Sequence, residues 1–92
     1  MRLSEQEIIN AVCLHMAERK QIAPAQVEVQ LQWDEDHGFS ADVTAAGRDQ
    51  ILVEANMLEA IERYVFKEYQ MRVFRQQITL DLDDEIFATI AE

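Results

Sequence analysis

The sequence is poor in the residues that mark secreted, membrane-spanning or loop-rich proteins. It has one cysteine, one proline and two glycines among 92 residues. The single cysteine, Cys13, cannot form an internal disulfide, which is typical of a reducing compartment. The longest apolar runs are far shorter than a membrane span, and no apolar segment follows the basic Arg2 as in a secretory signal. We therefore expect a cytoplasmic protein that has no membrane partner.

Basic residues are scarce as well. The chain has 8 Lys and Arg against 18 Asp and Glu, for a net charge of −10. No base lies between Lys20 and Arg48, and none follows Arg75. Nucleic acids and anionic lipids are bound chiefly by basic side chains, and this acidic chain would repel them. We expect no nucleic-acid partner.

The length predicts one domain over residues 1–92. The chain is 49% hydrophobic, which is ordinary for a folded protein and too high for a disordered one. A domain of this size has one modest core and little room for a deep substrate cavity.

Hydrophobic spacing predicts two helices and four or five strands. Ser4 and Glu7 form a capping-box signature ahead of an apolar stripe with helical spacing. Alternating apolar residues indicate strands, in which successive side chains point to opposite faces. The predicted helices cover residues 4–20 and 57–70, the second capped by Asn56, and the strands cover 27–33, 39–45, 49–53 and 77–82. Ile86, Ala88 and Ile90 alternate too, which favours a fifth strand over a short terminal helix.

These elements predict an α+β fold of order α-β-β-β-α-β(-β), in which two helices cover one face of a two-layer structure with an antiparallel sheet. We expect Trp33, Phe39, Tyr64 and Tyr69 to pack in the core. A turn at Ala46-Gly47-Arg48 places Gln50 and Leu52 on the open, polar face of the sheet.

Two acidic turns are candidates for binding a cation. Asp34, Asp36 and His37 offer oxygen and nitrogen ligands in the turn at residues 34–37, and a second acidic turn covers residues 81–85. The alternative is that both turns are solvated hairpin tips. The turn at residues 34–37 lacks the spaced ligands, the central glycine and the terminal glutamate of a helix-loop-helix calcium site.

We identify no catalytic residues and no cofactor in the sequence. Cys13 and His15 project about 200° apart on a helix and do not form a nucleophile–base pair. Cys13 is expected beside the core and His15 at the surface or its boundary. The two glycines are too few for a phosphate-binding loop. An enzyme assembled across a dimer interface and lined by Cys13 or His15 is left as an alternative.

Two apolar residues interrupt otherwise polar helix faces. Leu14 lies opposite the apolar stripe of the first helix, and Phe66 lies on the polar side of the second. Single exposed apolar residues are common, but one on each helix suggests a contact with a protein partner or a second copy. We predict that one or both of Leu14 and Phe66 lie in such a contact, with a homodimer as one form of it.

Three segments resemble a small uncharacterised family of Bacillus-type bacteria, known as a domain of unknown function. They are the opening LSEQEIINAVCLH at residues 3–15, QVEV at 26–29 and GFSA at 38–41. The resemblance implies a cytosolic bacterial protein and transfers no active site. The sequence therefore favours a non-enzymatic protein-interaction domain, with a metal- or small-ligand-binding protein that uses the acidic turns as the alternative.

Overall fold

The structure, a computed structural model, describes residues 1–91 and divides them among two helices and six strands. Helix α1 spans Glu5–Lys20 and helix α2 spans Glu54–Tyr69. The strands are β1 (Arg2–Leu3), β2 (Val27–Asp34), β3 (Gly38–Ala45), β4 (Arg48–Val53), β5 (Ile78–Leu82) and β6 (Ile86–Ile90). Single turns of 3-10 helix at Pro24–Gln26 and Arg75–Gln77 precede β2 and β5. The predicted α+β class and the fifth predicted strand, here β6, are confirmed.

The strands form two antiparallel sheets, whereas the sequence suggested one. Their orders are β1-β6-β5 and β2-β3-β4. Helix α2 separates β4 from β5 along the chain, and β5 pairs with β6. The other edge of β6 is taken by β1, and the amide of Ile90 donates to the carbonyl of Met1 at 2.7 Å. Strand β1 was not predicted, because a strand of two residues is too short to show an alternating pattern.

The start of helix α1 follows the capping box that the sequence indicates. The amide of Glu7 donates to Ser4 Oγ at 3.2 Å, and the amide of Ser4 donates to Glu7 Oε1 at 3.3 Å. These bonds satisfy two donors that a helix otherwise leaves unpaired at its N-terminus. The predicted stripe of Ile8, Val12 and Met16 is buried, so this helix is positioned as its sequence requires.

Helix α2 begins earlier than predicted. Its first residue is Glu54 and its N-cap is Val53, which has no side-chain capping bond. Asn56 therefore lies in the first turn, and the prediction that it caps the helix was wrong. Strand β4 runs directly into α2, so no loop separates the last paired residue from the first helical one.

The register of β4 corrects the predicted faces of that strand. The turn between β3 and β4 contains only Ala46 and Gly47, and Ala45 pairs with Arg48. Leu52 is consequently opposite Ala41 and buried, whereas the prediction placed it on the open face. Shifting a strand by one residue moves every side chain to the other face.

One cluster of buried side chains joins both helices and both sheets. Its largest fully buried members are Leu3, Ile8, Val12, Val43, Met57, Ile61, Val65 and Ile90. Phe39 and Tyr64 pack against this cluster, as predicted. Trp33 and Tyr69 are exposed, so the prediction that they are core residues was wrong. Trp33 is the next-to-last residue of β2 and pairs with Phe39 beside the turn that closes the β2–β3 hairpin.

Candidate interaction surfaces

A shallow groove lies beside helix α2 and the segment that follows it. We call it the Phe66–Phe74 groove, and it is lined by Glu62, Arg63, Phe66, Arg72, Val73 and Phe74. Phe66 is 54% exposed and Phe74 is 57% exposed, whereas Val73 is buried between them and the core. Helix α2 ends at Tyr69, and its C-cap residue Gln70 has a left-handed backbone with φ 58°. The chain leaves the helix there, and Phe74 comes to line the same groove as Phe66.

The groove lies in the part of this acidic chain where basic residues are most numerous. Four of the eight Lys and Arg residues fall within residues 63–75, and the one acid among those residues is Glu68. The Arg72 guanidinium lies 5.8 Å from the centre of the Phe66 ring, within the range of a cation–π contact. Arg72 has no ion pair within residues 1–91, so its charge is available to a bound group.

The other three cations of this stretch are paired with acids. Glu18 of α1 accepts from Arg63 at 2.6 Å and from Lys67 at 3.0 Å. The hydrogen bond from Lys67 and the nearby charge of Arg63 lower the pKa of Glu18. Arg75 lies 3.3 Å from a Glu59 carboxylate oxygen. These pairs are exposed and contribute little stability. They connect α1 with α2, and α2 with the segment that follows it.

The predicted interface residue Leu14 lies outside this groove. It is 41% exposed on α1 and lines two depressions, which it shares with Pro24 and Glu68. Leu14 and Phe66 are thus both exposed but line different depressions. That one or both of them lie in an interface stays a prediction, and it concerns two separate surfaces.

The phenol of Tyr69 connects the end of α2 to the start of α1. Its hydroxyl donates to Glu7 Oε2, and this bond to a carboxylate raises the pKa of Tyr69 to about 12. The same Glu7 side chain completes the capping box through its other oxygen. Glu7 therefore fixes the helix end from which the segment of the groove departs.

His15 is buried, which corrects the prediction of a surface or boundary position. It is 3% exposed, and neither ring nitrogen has a hydrogen-bond partner within residues 1–91. Nε2 lies 3.5 Å from a carboxylate oxygen of Glu59 on α2. Burial lowers the pKa of His15, and the charge of Glu59 opposes this by a smaller amount. The signal was present in the sequence, because His15 follows Ile8 by seven residues and Val12 by three.

Cys13 occupies a different place from His15. Its half-buried thiol lies 3.7 Å from the carbonyl oxygen of Val27 on β2. Burial raises the pKa of this thiol, which disfavours the reactive thiolate. The prediction of a small side chain beside the core agrees with this position. Since His15 contacts α2 and Cys13 contacts β2, the two side chains do not form a site together.

The acidic turn between β2 and β3 is closed by Asp34. Its Oδ1 accepts from the amides of Asp36 at 2.8 Å and His37 at 2.7 Å, and it lies 3.2 Å from His37 Nδ1. The amide of His37 is the main cause of a lowered pKa at Asp34. Within residues 1–91, no three His, Cys, Asp or Glu side chains are placed to hold a metal ion. A cation at Asp34, Asp36 and His37 stays a prediction, to be tested by calorimetric titration with calcium, magnesium, manganese and zinc.

The second acidic turn belongs to the other sheet. Asp83 accepts from the amide of Glu85 at 3.1 Å and from Arg2 at 3.3 Å. The hydrogen bond from the amide of Glu85 is the largest cause of the lowered pKa of Asp83. The two acidic turns thus close hairpins of separate sheets, and each has its own hydrogen bonds.

Comparison with protein-family models matches residues 1–85 to a protein of unknown function, DUF2653. The chain belongs to the DUF2653 family. The predicted membership of a family of unknown function is confirmed. No curated protein and no solved structure matches the chain. None of the helices described within residues 1–91 is long and apolar enough to cross a membrane.

The matched part of this DUF2653 chain includes groove residues that sequence reasoning missed. Arg72 and Phe74 follow the C-terminus of α2, where no periodic pattern assigns a face. Ile51 and Val53 were missed because they belong to an unbroken apolar run with Leu52, and such a run is ambiguous between two registers. The structure settles this register, because its turn contains only Ala46 and Gly47.

Proposed function

We propose that this DUF2653 domain is a non-enzymatic protein-interaction domain whose Phe66–Phe74 groove receives a partner protein. The observation that carries the proposal is the pair of half-exposed phenylalanines beside the unpaired cation of Arg72. Aromatic and Arg side chains are the residue types that contribute most at protein interfaces. We therefore expect the partner to insert an apolar side chain flanked by acidic residues.

A symmetric contact of the groove with itself is disfavoured by charge. Around a two-fold axis the same patch faces itself, so the unpaired guanidinium of Arg72 would approach the same group of a second copy. Like charges brought together across an interface cost several kcal/mol in general. This argument favours a different protein in the groove.

Photo-crosslinking tests this function directly. Benzoylphenylalanine replaces Phe66 or Phe74 in separate variants expressed in the native cell, and both variants are expected to trap the same protein. The matched control carries the probe in place of Gln30, which is exposed on β2. A protein trapped equally from position 30, or different proteins from positions 66 and 74, would contradict the proposal.

Binding of the purified partner gives a second test. Combined Phe66→Ala and Phe74→Ala changes are expected to weaken its affinity at least about tenfold, since residues of interface centres commonly cost more than 1.4 kcal/mol on truncation. The control is Gln30→Ala, with affinity unchanged. Equal affinities for the double variant and the control would show that the groove is not the contact.

A further inference from the structure

Strand β4 presents an uncovered sheet edge with exposed apolar side chains. It is an outer strand of the sheet β2-β3-β4, with no strand on its other side within residues 1–91. Ile51 is 65% exposed and Val53 is 57% exposed, and both point to the open face of the sheet. Proteins usually protect such an edge with proline, lysine or a bulge, because its free backbone groups are a template for another strand. Arg48 is the one base in β4, and the strand contains no proline.

The charges at the ends of β4 are opposite in sign. Arg48 begins the strand, and Glu54 follows its last residue. Neither side chain has an ion pair within residues 1–91. Antiparallel pairing places the start of one strand opposite the end of the other. A second copy of β4 would therefore bring a free cation beside a free carboxylate at both ends of the contact.

We propose that two copies of this chain associate through antiparallel pairing of their β4 strands, with Ile51 of each copy opposite Ile51 of the other. In this register Arg48 lies opposite Glu54 of the second copy, and Asp49 lies opposite Val53. The two sheets become one continuous sheet of six strands. Asp49 is compatible with this arrangement, because its carboxylate already has a hydrogen-bond donor in its own sheet. Thr44 Oγ1 on β3 donates to Asp49 Oδ1 at 2.6 Å.

The other edges lack this self-complementarity. Strand β2 carries Glu28 and Asp34 and no base, so pairing with its own copy would set acids against acids. Strand β5 carries Asp81 as its one charged residue, and the two-residue edge strand β1 carries only Arg2. Cross-strand pairs of opposite charge stabilise a sheet and like charges destabilise it. This inference does not depend on the Phe66–Phe74 groove, which lies elsewhere and takes a different partner.

A charge swap measured by sedimentation equilibrium tests the register. Arg48→Glu and Glu54→Arg are each expected to weaken self-association about tenfold, because each replaces two opposite-charge pairs with two like-charge pairs. The double swap is expected to restore the wild-type dissociation constant. Glu28→Arg is the control for the change in net charge at an exposed position outside β4, and thermal unfolding verifies that every variant is folded.

Disulfide trapping tests the same register independently of affinity. In a Cys13→Ser background, Ile51→Cys is expected to give a dimer under mild oxidation, since directly opposed strand residues lie within disulfide range. Gln30→Cys, exposed on β2, is expected to stay monomeric. The proposal is overturned if the wild-type chain is monomeric at all concentrations up to about 1 mM. A dissociation constant of about 1 mM corresponds to an association free energy of roughly 4 kcal/mol. Association that the charge swaps leave unchanged would equally overturn it, because another surface would then be responsible.

Discussion

At the residue scale, the imidazole of His15 is the clearest local cost in the structure. Both ring nitrogens are buried without hydrogen-bond partners in residues 1–91, and burial lowers the pKa below the ordinary value of 6.5. Glu59 and Glu18 raise this pKa, whereas Arg63 and Arg19 lower it further. A buried polar group without a partner costs about 1–3 kcal/mol relative to its state in water. The neutral imidazole is therefore the form that the fold accepts.

This environment predicts a pH-dependent loss of stability. The folded pKa of His15 is lowered, so the unfolded chain takes up the proton first as the pH falls. The free energy of unfolding is expected to be highest above pH 6.5 and to decline below it. His15→Met should flatten this decline between about pH 6.5 and 4.5, the interval between the ordinary His and Glu values. Urea unfolding at several pH values measures the effect, with His37→Gln, an exposed histidine, as the control that keeps the slope.

The two groove phenylalanines are expected to matter for binding and not for folding. Since both are more than half exposed, Phe66→Ala combined with Phe74→Ala should change the free energy of unfolding by about 0.5 kcal/mol or less per site. Val73→Ala in the same segment is the contrast, because Val73 is buried and its truncation should cost more than about 1 kcal/mol. Chemical denaturation of the three variants decides this, and a large loss in the phenylalanine variant would mean that the groove is structural.

At the element scale, the hydrogen bonds of the capping box decide where α1 begins. Ser4 and Glu7 exchange two hydrogen bonds, and Glu7 also accepts from Tyr69. One carboxylate thus links the first turn of α1 with the last turn of α2. The segment after α2 contains Phe74, so the same link supports the shape of the groove.

Removal of the cap should destabilise the protein as a whole. Ser4→Ala is expected to lower the free energy of unfolding by about 1 kcal/mol, because an early helix amide loses its acceptor. Ser40→Ala is the matched control, since Ser40 lies on the open face of β3 and no described residue is bonded to its hydroxyl. Equal stability of the two variants would contradict the role of the cap.

The turn that joins β3 to β4 carries local strain. Ala46 has φ 52° and Gly47 has φ 74°, and a residue other than glycine pays about 1 kcal/mol for such a backbone. Asn is the favoured residue before Gly in two-residue hairpin turns. Ala46→Asn should therefore raise the free energy of unfolding by about 0.5 kcal/mol, a part of that strain.

Gly47→Ala is the opposing variant for this turn. A Cβ at that position would have no atom within 4 Å, so any loss of stability, expected at about 1 kcal/mol, comes from the backbone alone. Thermal unfolding of both variants is the measurement. A stabilising Gly47→Ala change would show that the turn has another conformation.

At the scale of the whole molecule, acids are spread over the helices, the sheets and the hairpin turns, while half of the bases lie within residues 63–75. The net charge of −10 implies general repulsion in the folded state, because most of the acids within residues 1–91 have no partner cation. The ion pairs of Glu18 and Glu59 with α2 and the segment after it are exposed and offset little of this repulsion.

Added salt is consequently expected to stabilise the protein. Raising sodium chloride from about 0.02 to 0.2 M shortens the screening length from roughly 20 to 7 Å and should raise the midpoint of thermal unfolding. Replacing the exposed acids Glu28, Glu35 and Asp84 by their amides should reduce this response. A fall in the midpoint with salt would mean that local ion pairs outweigh the general repulsion.

Local patterns predicted the elements better than their arrangement. Helix α1 was identified correctly from the capping box at Ser4 and the apolar stripe from Ile8 to Met16. Strand β6 was identified correctly from the alternation of Ile86, Ala88 and Ile90. Phe66 and Leu14 were recognised as exposed because each interrupts a polar helix face. The predicted start of helix α2 was three residues too late, because the prediction relied on Asn56 as a cap. The helix begins at Glu54 without a side-chain capping bond.

The sequence by itself determined the α+β class, the two helices and the faces that they bury, because these depend on the spacing of neighbouring residues. Tertiary structure alone decided that six strands divide into two sheets and that Glu59 is the carboxylate beside the imidazole of His15. It also decided which of Ile51 and Leu52 meets the core. The physical reason is that these outcomes depend on which distant segments pair and in which register, and a shift of one residue exchanges the two faces of a strand.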